Sequence, residues 1–271
     1  MCEMKPMSSS QNDLDILVAD DSATVRKFIV LALQKISASF NITEAVDGDS
    51  CLEHLQTGEF DIAFVDVNMP GKSGFEAIKS SIEQGVGTFS VIMSGETNPS
   101  WFDEARSLKA YDFLSKPFTE NDVELVIHNF TRFTDVTSVL LVDDSKAIRK
   151  VVRKVLDDSR FNVKIDEAID GPDAVFYYKN KQHDVVFLDL NMPGINGYDT
   201  LKMLRELNQK VKVVVVTADK SVKYEEINAD HDIKALLYKP FYSIDVDRIL
   251  HKLFDLKLPN LLTEEKDVFL I

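Results

Sequence analysis

Short apolar runs alternate along the chain with segments whose apolar residues recur at helical spacing. Residues 14–20 (LDILVAD) predict a strand, and residues 22–36 place Val25, Ile29 and Leu33 on one face of a helix that Ser22 caps. Further strand-like runs follow at residues 40–45, 61–66, 88–94 and 111–115, each separated from the next by a helical pattern. Five largely apolar strands that alternate with helices predict a parallel sheet covered on both faces.

The same series of predicted strands and helices occurs a second time along the chain. Its strands are predicted near residues 138–142, 163–167, 185–189, 211–216 and 235–238. FVDVNMPG at residues 64–71 returns as FLDLNMPG at residues 187–194, and EAVDG at residues 44–48 returns as EAIDG at residues 167–171. Matching residues of the two copies, such as Asp66 and Asp189, are 123 residues apart, and this number is the repeat offset. A repeat of this length indicates duplicated domains rather than a solenoid. The predicted division is a disordered N-terminus over residues 1–12, domains over residues 13–135 and 136–257, and a C-terminal tail over residues 258–271.

Composition narrows the class of protein further. A length of 271 residues suits two domains, and 45% hydrophobic residues suit folded cores. The net charge of −14 argues against a nucleic-acid partner, and no apolar run reaches the roughly 18 residues that a membrane span needs. The N-terminus has no apolar stretch typical of a secretory signal, and two cysteines cannot form a disulfide framework. We therefore predict a cytoplasmic protein.

Polar side chains stand where the predicted strands end. Asp20 and Asp21 follow the first strand, Asp66 ends the third, Ser94 ends the fourth and Lys116 follows the fifth. Because the carboxyl ends of parallel strands meet at one edge of a sheet, these groups are expected to gather in one pocket. Close carboxylates repel one another without a counter-charge, and their oxygens suit Mg²⁺. The second copy carries the matching set of Asp143, Asp144, Asp189, Thr217 and Lys239.

This set of groups favours phosphoryl chemistry. An aspartate such as Asp66 can act as a nucleophile and form an acyl phosphate. The charge that develops on the phosphoryl oxygens then needs fixed positive partners, here a metal ion and Lys116. The hydroxyl group of Ser94, or of Thr217 in the second copy, can donate a hydrogen bond to the same oxygens.

Each copy resembles the receiver domain of bacterial two-component response regulators. The residues that carry the resemblance are the Asp-Asp pair, the aspartate before NMPG, the Ser-Gly or Thr-Ala pair and the Lys-Pro pair, in this order in both copies. The resemblance covers roughly residues 13–257. It implies two flavodoxin-like (βα)5 domains of the α/β class, each with a five-stranded parallel sheet of order 2-1-3-4-5.

The resemblance also implies residue roles. Asp66 and Asp189 would accept phosphate from a histidine kinase or a histidine phosphotransfer protein, and Lys116 and Lys239 would contact the phosphoryl group through cis Lys-Pro segments. Each domain would hold one Mg²⁺ through Asp20, Asp21, Asp66 and the backbone oxygen of Asn68, or through Asp143, Asp144, Asp189 and the backbone oxygen of Asn191.

The copies differ at the position of the family's aromatic switch residue. Phe113 occupies that position, three residues before the lysine, in the first copy, and Leu236 occupies it in the second. The second copy is therefore predicted to transmit phosphorylation differently, or not at all.

The predicted function is that of a phosphorelay response regulator with two receiver domains, no output domain and a downstream protein target. It is predicted to be a signalling phosphoacceptor with self-catalysed phosphorylation and dephosphorylation rather than an enzyme. One alternative is a phosphate sink or scaffold in which only one receiver signals. Another alternative is an aspartate-nucleophile phosphatase. Such enzymes carry an aspartate two residues after the nucleophile, and the asparagines Asn68 and Asn191 at that position argue against this alternative.

The sequence allows two interpretations for each of two segments. The tail after Pro259 contains apolar residues, and it is either a loose or self-packed end or a docking segment. The helix after Ser145 carries a basic stripe of Lys146, Arg149, Lys150, Arg153 and Lys154, which is either a solvated face or a partner surface.

Overall fold

The computed structural model describes residues 13–96, 98–263 and 269–270. The predicted disorder of residues 1–12 lies outside this range, and so do residues 264–268 and 271 of the tail. The described chain forms two compact units that divide between Thr131 and Arg132, and the first unit also includes the described residues 259–263. The domain boundary predicted between residues 135 and 136 is close to this division and stays a prediction.

The first unit alternates strands and helices in the predicted order. Its elements are β1 (Asp15–Ala19), α1 (Ala23–Ile36), β2 (Asn41–Ala45), α2 (Gly48–Gln56), β3 (Ile62–Asp66), α3 (Gly74–Glu83), β4 (Phe89–Ser94), α4 (Pro99–Ser107), β5 (Asp112–Ser115) and α5 (Glu120–Thr134). Ser22 is the N-cap residue of α1, but its side chain makes no capping hydrogen bond.

The sheet of the first unit has the order β2-β1-β3-β4-β5, and all its pairs are parallel. All five residues of β3 are buried, because helices cover both faces of the sheet and leave no place for polar alternation. The register aligns Ala19 with Val65, Asp66 with Met93, and Ser94 with Ser115. The polar residues at these strand ends therefore lie at one edge of the sheet, as the sequence predicts.

The second unit repeats this architecture. Its elements are β6 (Thr137–Val142), α6 (Lys146–Asp157), β7 (Val163–Ala168), α7 (Gly171–Asn180), β8 (Val185–Asp189), α8 (Gly197–Leu207), β9 (Val213–Thr217), α9 (Tyr224–His231), β10 (Ala235–Tyr238), α10 (Ser243–Leu253) and β11 (Phe269–Leu270). The parallel strands follow the order β7-β6-β8-β9-β10, and the two-residue strand β11 adds an antiparallel edge next to β10. The predicted fold class is confirmed in both copies.

In the described part of the chain, no helix is both long and apolar enough to cross a lipid bilayer. The helices instead bury one face against their sheets. In α1, for example, Ile29, Ala32 and Leu33 are buried at helical spacing, while the basic Lys35 lies in the last turn.

Candidate functional site

Three carboxylates meet at the carboxyl end of the sheet in the first unit. Asp20 follows β1, Asp21 comes next, and Asp66 is the last residue of β3. One oxygen from each carboxylate lies within 4.8 Å of the others. Asp20 and Asp66 are buried, whereas Asp21 is exposed, so the cluster is open to solvent on one side.

Lys116 joins two of these acids from the loop after β5. Its Nζ lies 2.6 Å from Oδ2 of Asp20 and 2.6 Å from Oδ1 of Asp66. The backbone N–H of Lys116 donates to the carbonyl of Ser94 at 2.7 Å, which holds the lysine loop against the end of β4. The Lys116–Pro117 peptide bond is cis, as the resemblance implies.

Burial and charge act in opposite directions on these groups. Burial raises the pKa of Asp66, and the hydrogen bond and positive charge of Lys116 oppose the rise without cancelling it. Burial disfavours the charged form of Lys116, but hydrogen bonds to Asp20 and Asp66 outweigh that cost and raise the pKa of the lysine. A lysine that stays protonated therefore faces an aspartate that ionises with more difficulty than an exposed one.

The remaining predicted residues of the first unit lie around this cluster. Ser94 is buried at the end of β4, where its Oγ accepts a hydrogen bond from the N–H of Glu96 at 3.0 Å. The N–H of Asn68 donates to Oδ2 of Asp66 at 3.1 Å, so the loop after β3 orients the carboxylate. Phe113 lies inside β5, buried and stacked on Phe102 of α4 with ring centroids 4.5 Å apart.

The second unit builds the same arrangement with longer contacts. The carboxylates of Asp143, Asp144 and Asp189 again lie within 4.8 Å of one another, with only Asp144 exposed. Nζ of Lys239 lies 2.7 Å from Asp143 but 3.3 Å from Asp189. Burial is the main cause that raises the pKa of Asp189, as it does for Asp66. The Lys239–Pro240 peptide bond is also cis.

Thr217 and Leu236 take the places of Ser94 and Phe113. Thr217 is buried, and its Oγ1 accepts from the N–H of Asp219 at 3.0 Å and from Nδ2 of Asn191 at 3.4 Å. Leu236 is buried in the core of the second unit. The structure thus brings every predicted side chain except the two switch positions to the acidic edge of its sheet.

Sequence reasoning missed two glycines that shape the site. Gly74 begins α3 and Gly197 begins α8. The N–H of each glycine donates at 3.0 Å to the carbonyl of the residue directly before NMPG, which is Val67 or Leu190. A Cβ on Gly74 would overlap the carbonyl oxygen of Asp66, and a Cβ on Gly197 would overlap that of Asp189. The signal was available, because SGF and NGY hold these glycines at the repeat offset.

Two arginines that support the Asp-Asp pairs were also missed as site residues. Nη1 of Arg26 donates to the carbonyl of Asp20 at 2.8 Å, and Nη1 of Arg149 donates to the carbonyl of Asp143 at 2.7 Å. Each arginine is held by a glutamate of the repeated EAVDG or EAIDG motif, Glu44 or Glu167.

The interpretation of the basic stripe as one solvated face is therefore wrong for Arg149. This residue is 8% exposed, and Arg153 also pairs with Glu167 at 2.6 Å. Arg26 at the same repeat offset was the signal that would have separated Arg149 from the lysines.

The donor set suits a small divalent cation. Three carboxylates face one ammonium group in each unit, which leaves an excess of negative charge in a partly buried pocket. All the candidate ligand atoms are oxygens, the ligands that Mg²⁺ prefers, and the exposed third carboxylate leaves room for retained water. The residues present therefore fit the predicted metal.

Comparison with known proteins gives the same family twice. The model of the response regulator receiver domain matches residues 16–128 and again residues 139–253. The chemotaxis protein CheY-3 of Vibrio cholerae is 35% identical over 121 residues, 43% of this chain and 91% of that protein. CheY of Thermotoga maritima is 31% identical over 116 residues, 42% of this chain and 94% of that protein.

One solved structure is similar across both units. It is a crystal structure of a two-component system response regulator/GGDEF domain protein, with a TM-score of 0.60 and 22% identity. The similarity covers 89% of this chain and 99% of the solved chain, and at this identity it supports the fold alone.

Proposed function

The chain belongs to the response regulator receiver domain family, with two receiver domains in tandem, and we propose that each domain accepts a phosphoryl group on one buried aspartate, Asp66 or Asp189. Receiver domains are signalling phosphoacceptors that bind Mg²⁺ through an acidic pocket and interact with kinases, phosphotransfer proteins and targets. The observation that carries the proposal is the contact of one lysine with both buried carboxylates of each cluster.

The acceptor is distinguished from its neighbours by its environment. Hydrogen bonds alone do not separate Asp20 from Asp66, because each accepts from Lys116 and from one backbone N–H, that of Ser22 or of Asn68. The position of Asp66 does separate it, since Asp66 is the last residue of β3 whereas Asp20 follows β1. Asp21 is exposed and has no lysine partner in the described structure. Asp66 ends β3 next to β4, the strand that ends at Ser94, and its Oδ1 lies 2.6 Å from Nζ of Lys116, so a phosphoryl group on Asp66 would lie within reach of both side chains.

The proposed step moves one phosphoryl group without a cofactor-bound intermediate. An oxygen of Asp66 forms a bond to phosphorus while the bond from phosphorus to the donor's leaving atom breaks. Lys116 keeps its proton and turns its charge toward the phosphoryl oxygens, and the Ser94 hydroxyl donates to one of them. Thr217 and Lys239 act in the same way at Asp189.

A divalent cation would be held by Asp20, Asp21, Asp66 and the carbonyl of Asn68 in the first domain, and by Asp143, Asp144, Asp189 and the carbonyl of Asn191 in the second. When bound, it supplies positive charge that favours ionised carboxylates and screens the incoming phosphate. We propose one Mg²⁺ per domain. The phosphoryl donor would be a histidine kinase or a histidine phosphotransfer protein, the target a protein, and the compartment the cytoplasm.

Intact mass measurement tests the proposal. The protein is incubated with Mg²⁺ and acetyl phosphate, and wild type is expected to gain two phosphates while Asp66→Asn and Asp189→Asn each gain one. Asp103→Asn, which changes an exposed acid on α4, is the matched control and should gain two. Chelation of the metal should abolish both additions. Two phosphates on either acceptor variant would contradict the assignment.

Differences around Asp189 favour one alternative, a domain that takes phosphate without signalling. Lys239 contacts Asp189 at 3.3 Å instead of 2.6 Å, and Leu236 replaces the aromatic switch residue. Dephosphorylation half-lives of the two single-acceptor variants separate the cases. A much shorter half-life at Asp189, with no partner binding that depends on it, would indicate a phosphate sink.

A further inference from the structure

Five residues that follow the second receiver domain in the chain fold as part of the first. Residues Asn260–Leu262 form a single 3-10 turn, with Pro259 before it and Thr263 after it. Leu261 and Leu262 are 2% and 3% exposed, and Leu261 belongs to the hydrophobic core of the first unit. Phe113 belongs to the same core, and Trp101 and Phe102 of α4 pack against it.

Polar contacts position the segment on α4 and β5. The N–H of Asn260 donates to Oδ1 of Asp112 at 2.7 Å, and its Nδ2 donates to the carbonyl of Phe113 at 2.9 Å. Nε of Arg106 donates to the carbonyl of Leu261 at 3.1 Å. Among the described strands, β5 is the edge strand of its sheet, and Asn260 supplies a hydrogen bond to the carbonyl of Phe113 where no described strand lies beside it.

The second receiver domain lacks the residues that make these contacts. At the repeat offset, Arg106 corresponds to Ala229, Asp112 to Ala235 and Phe113 to Leu236. Neither alanine side chain can form the hydrogen bonds that hold Asn260 and Leu261. The second domain keeps the three aspartates and the lysine of the acidic site but none of these three residues, so the docking residues are a specific feature of the first domain.

We propose that residues 259–263 are an intramolecular ligand of the α4–β5 face, which Trp101, Phe102, Arg106, Asp112 and Phe113 form, and that phosphorylation of Asp66 releases them. A protein target that binds this face would then compete with the chain's own segment. The release rests on the proposed function, whereas the docking is independent of it.

The release follows from what a phosphoryl group would demand of its neighbours. Ser94 ends β4, and its Oγ now accepts from the N–H of Glu96 in the loop that leads to α4. Lys116 directly follows β5 and now binds Asp20 and Asp66. A phosphoryl group on Asp66 redirects both side chains toward itself and displaces the two elements to which the segment is bound.

The segment and the phosphoryl group are therefore coupled, and such coupling is reciprocal. A substitution that undocks the segment should strengthen binding of a phosphoryl analogue at Asp66 by the same factor by which the analogue weakens docking. For allosteric coupling of ordinary size this factor is about 5-fold or more.

Docking is tested first, in the full chain. Trp101 is the only tryptophan and packs against the core that Leu261 enters, so its fluorescence reports the occupied face. Leu261→Asp is expected to shift Trp101 emission to longer wavelength and to speed amide hydrogen exchange in β5. Gln34→Glu adds the same charge at an exposed position of α1, outside the segment and its face, and should change neither. No change with Leu261→Asp would overturn the docking.

Release is tested with beryllium fluoride and Mg²⁺ in an Asp189→Asn background, which leaves only the first site. Beryllium fluoride should shift Trp101 emission as Leu261→Asp does, and fluorine NMR should show about 5-fold tighter binding when Leu261→Asp is added. Binding without a Trp101 shift overturns the release but leaves the proposed function intact. If no analogue binds and acetyl phosphate adds no mass at Asp66, the proposed function and the release both fail.

Discussion

The two receiver domains share an acidic site but not its surroundings. Both have two buried carboxylates, one exposed carboxylate and a lysine at matching positions, although Lys239 lies 3.3 Å from Asp189 whereas Lys116 lies 2.6 Å from Asp66. Beside the site, Phe113 stacks on Phe102 in the first domain, whereas Leu236 and Glu225 stand at the corresponding positions in the second. In the second domain the hydroxyl group of Tyr238 instead donates to the carbonyl of Val222.

A second difference lies in the last helix of each domain. Asp247 and His251 in α10 are buried, while the corresponding Glu124 and His128 in α5 are exposed. The ring of His251 makes edge contacts with the rings of Phe133 and Phe161, and Phe161 in turn packs against Phe254. The comparison shows that the two copies share the few residues at the strand ends, whereas the helices and edge strands beside them differ.

The largest expected effect tests what the two domains share. Gly74→Ala and Gly197→Ala should each destabilise their own domain by roughly 2–4 kcal/mol, because the new Cβ overlaps the backbone of Asp66 or of Asp189. Urea denaturation measures this, with Trp101 fluorescence for the first domain and circular dichroism for the second. Gly95→Ala is the control, since its Cβ would meet nothing within 4 Å and Ala218 occupies the matching position. A loss below about 0.5 kcal/mol for either test variant would contradict the close approach.

The next effect should appear in the second domain alone. Burial raises the pKa of Asp247 to about 6 and lowers the pKa of His251 to about 4. Asp247 therefore contributes stability at low pH that is lost as the pH rises through about 6, and His251 contributes stability at neutral pH that is lost as the pH falls from about 6.5 towards 4. The two trends offset each other between pH 4 and 6.5.

Substitution of either residue should reveal the trend of the other. With Asp247→Asn, stability of the second domain should fall by roughly 2–3 kcal/mol from pH 7 to pH 4, because only His251 remains. With His251→Gln, it should rise over the same range. Denaturation followed by circular dichroism measures both, and Glu124→Gln in the first domain is the matched control. Equal pH profiles for the two variants would contradict the buried pair.

The smallest effect separates the two acidic sites without metal. Asp66→Asn and Asp189→Asn remove a buried charge whose ionisation is unfavourable, so each should raise the free energy of unfolding by about 1 kcal/mol at neutral pH. The gain should be larger for Asp189→Asn, since Lys239 lies farther from its carboxylate than Lys116 does from Asp66. Mg²⁺ should stabilise the wild type more than either variant. A larger gain at Asp66 would show that the lysine distance does not set the difference.

The sequence by itself determined the strands, the duplication and the acidic edge. Apolar runs of strand length are local, and the carboxyl ends of parallel strands must meet, so Asp66, Lys116 and their repeats could be brought together from spacing alone. The family resemblance then predicted the cis peptide bonds before both lysines, which the structure has.

Only the tertiary structure decided which residues support that edge from other elements. Arg149 looks like one more basic residue on a helix face until its guanidinium group reaches the carbonyl of Asp143. Gly74 looks like an ordinary turn residue until the carbonyl of Asp66 lies against it. Leu261 stands 148 residues after Phe113, and no local pattern predicts that the core of the first domain receives it. Long-range packing has no sequence period, so these contacts become visible only when the chain is folded.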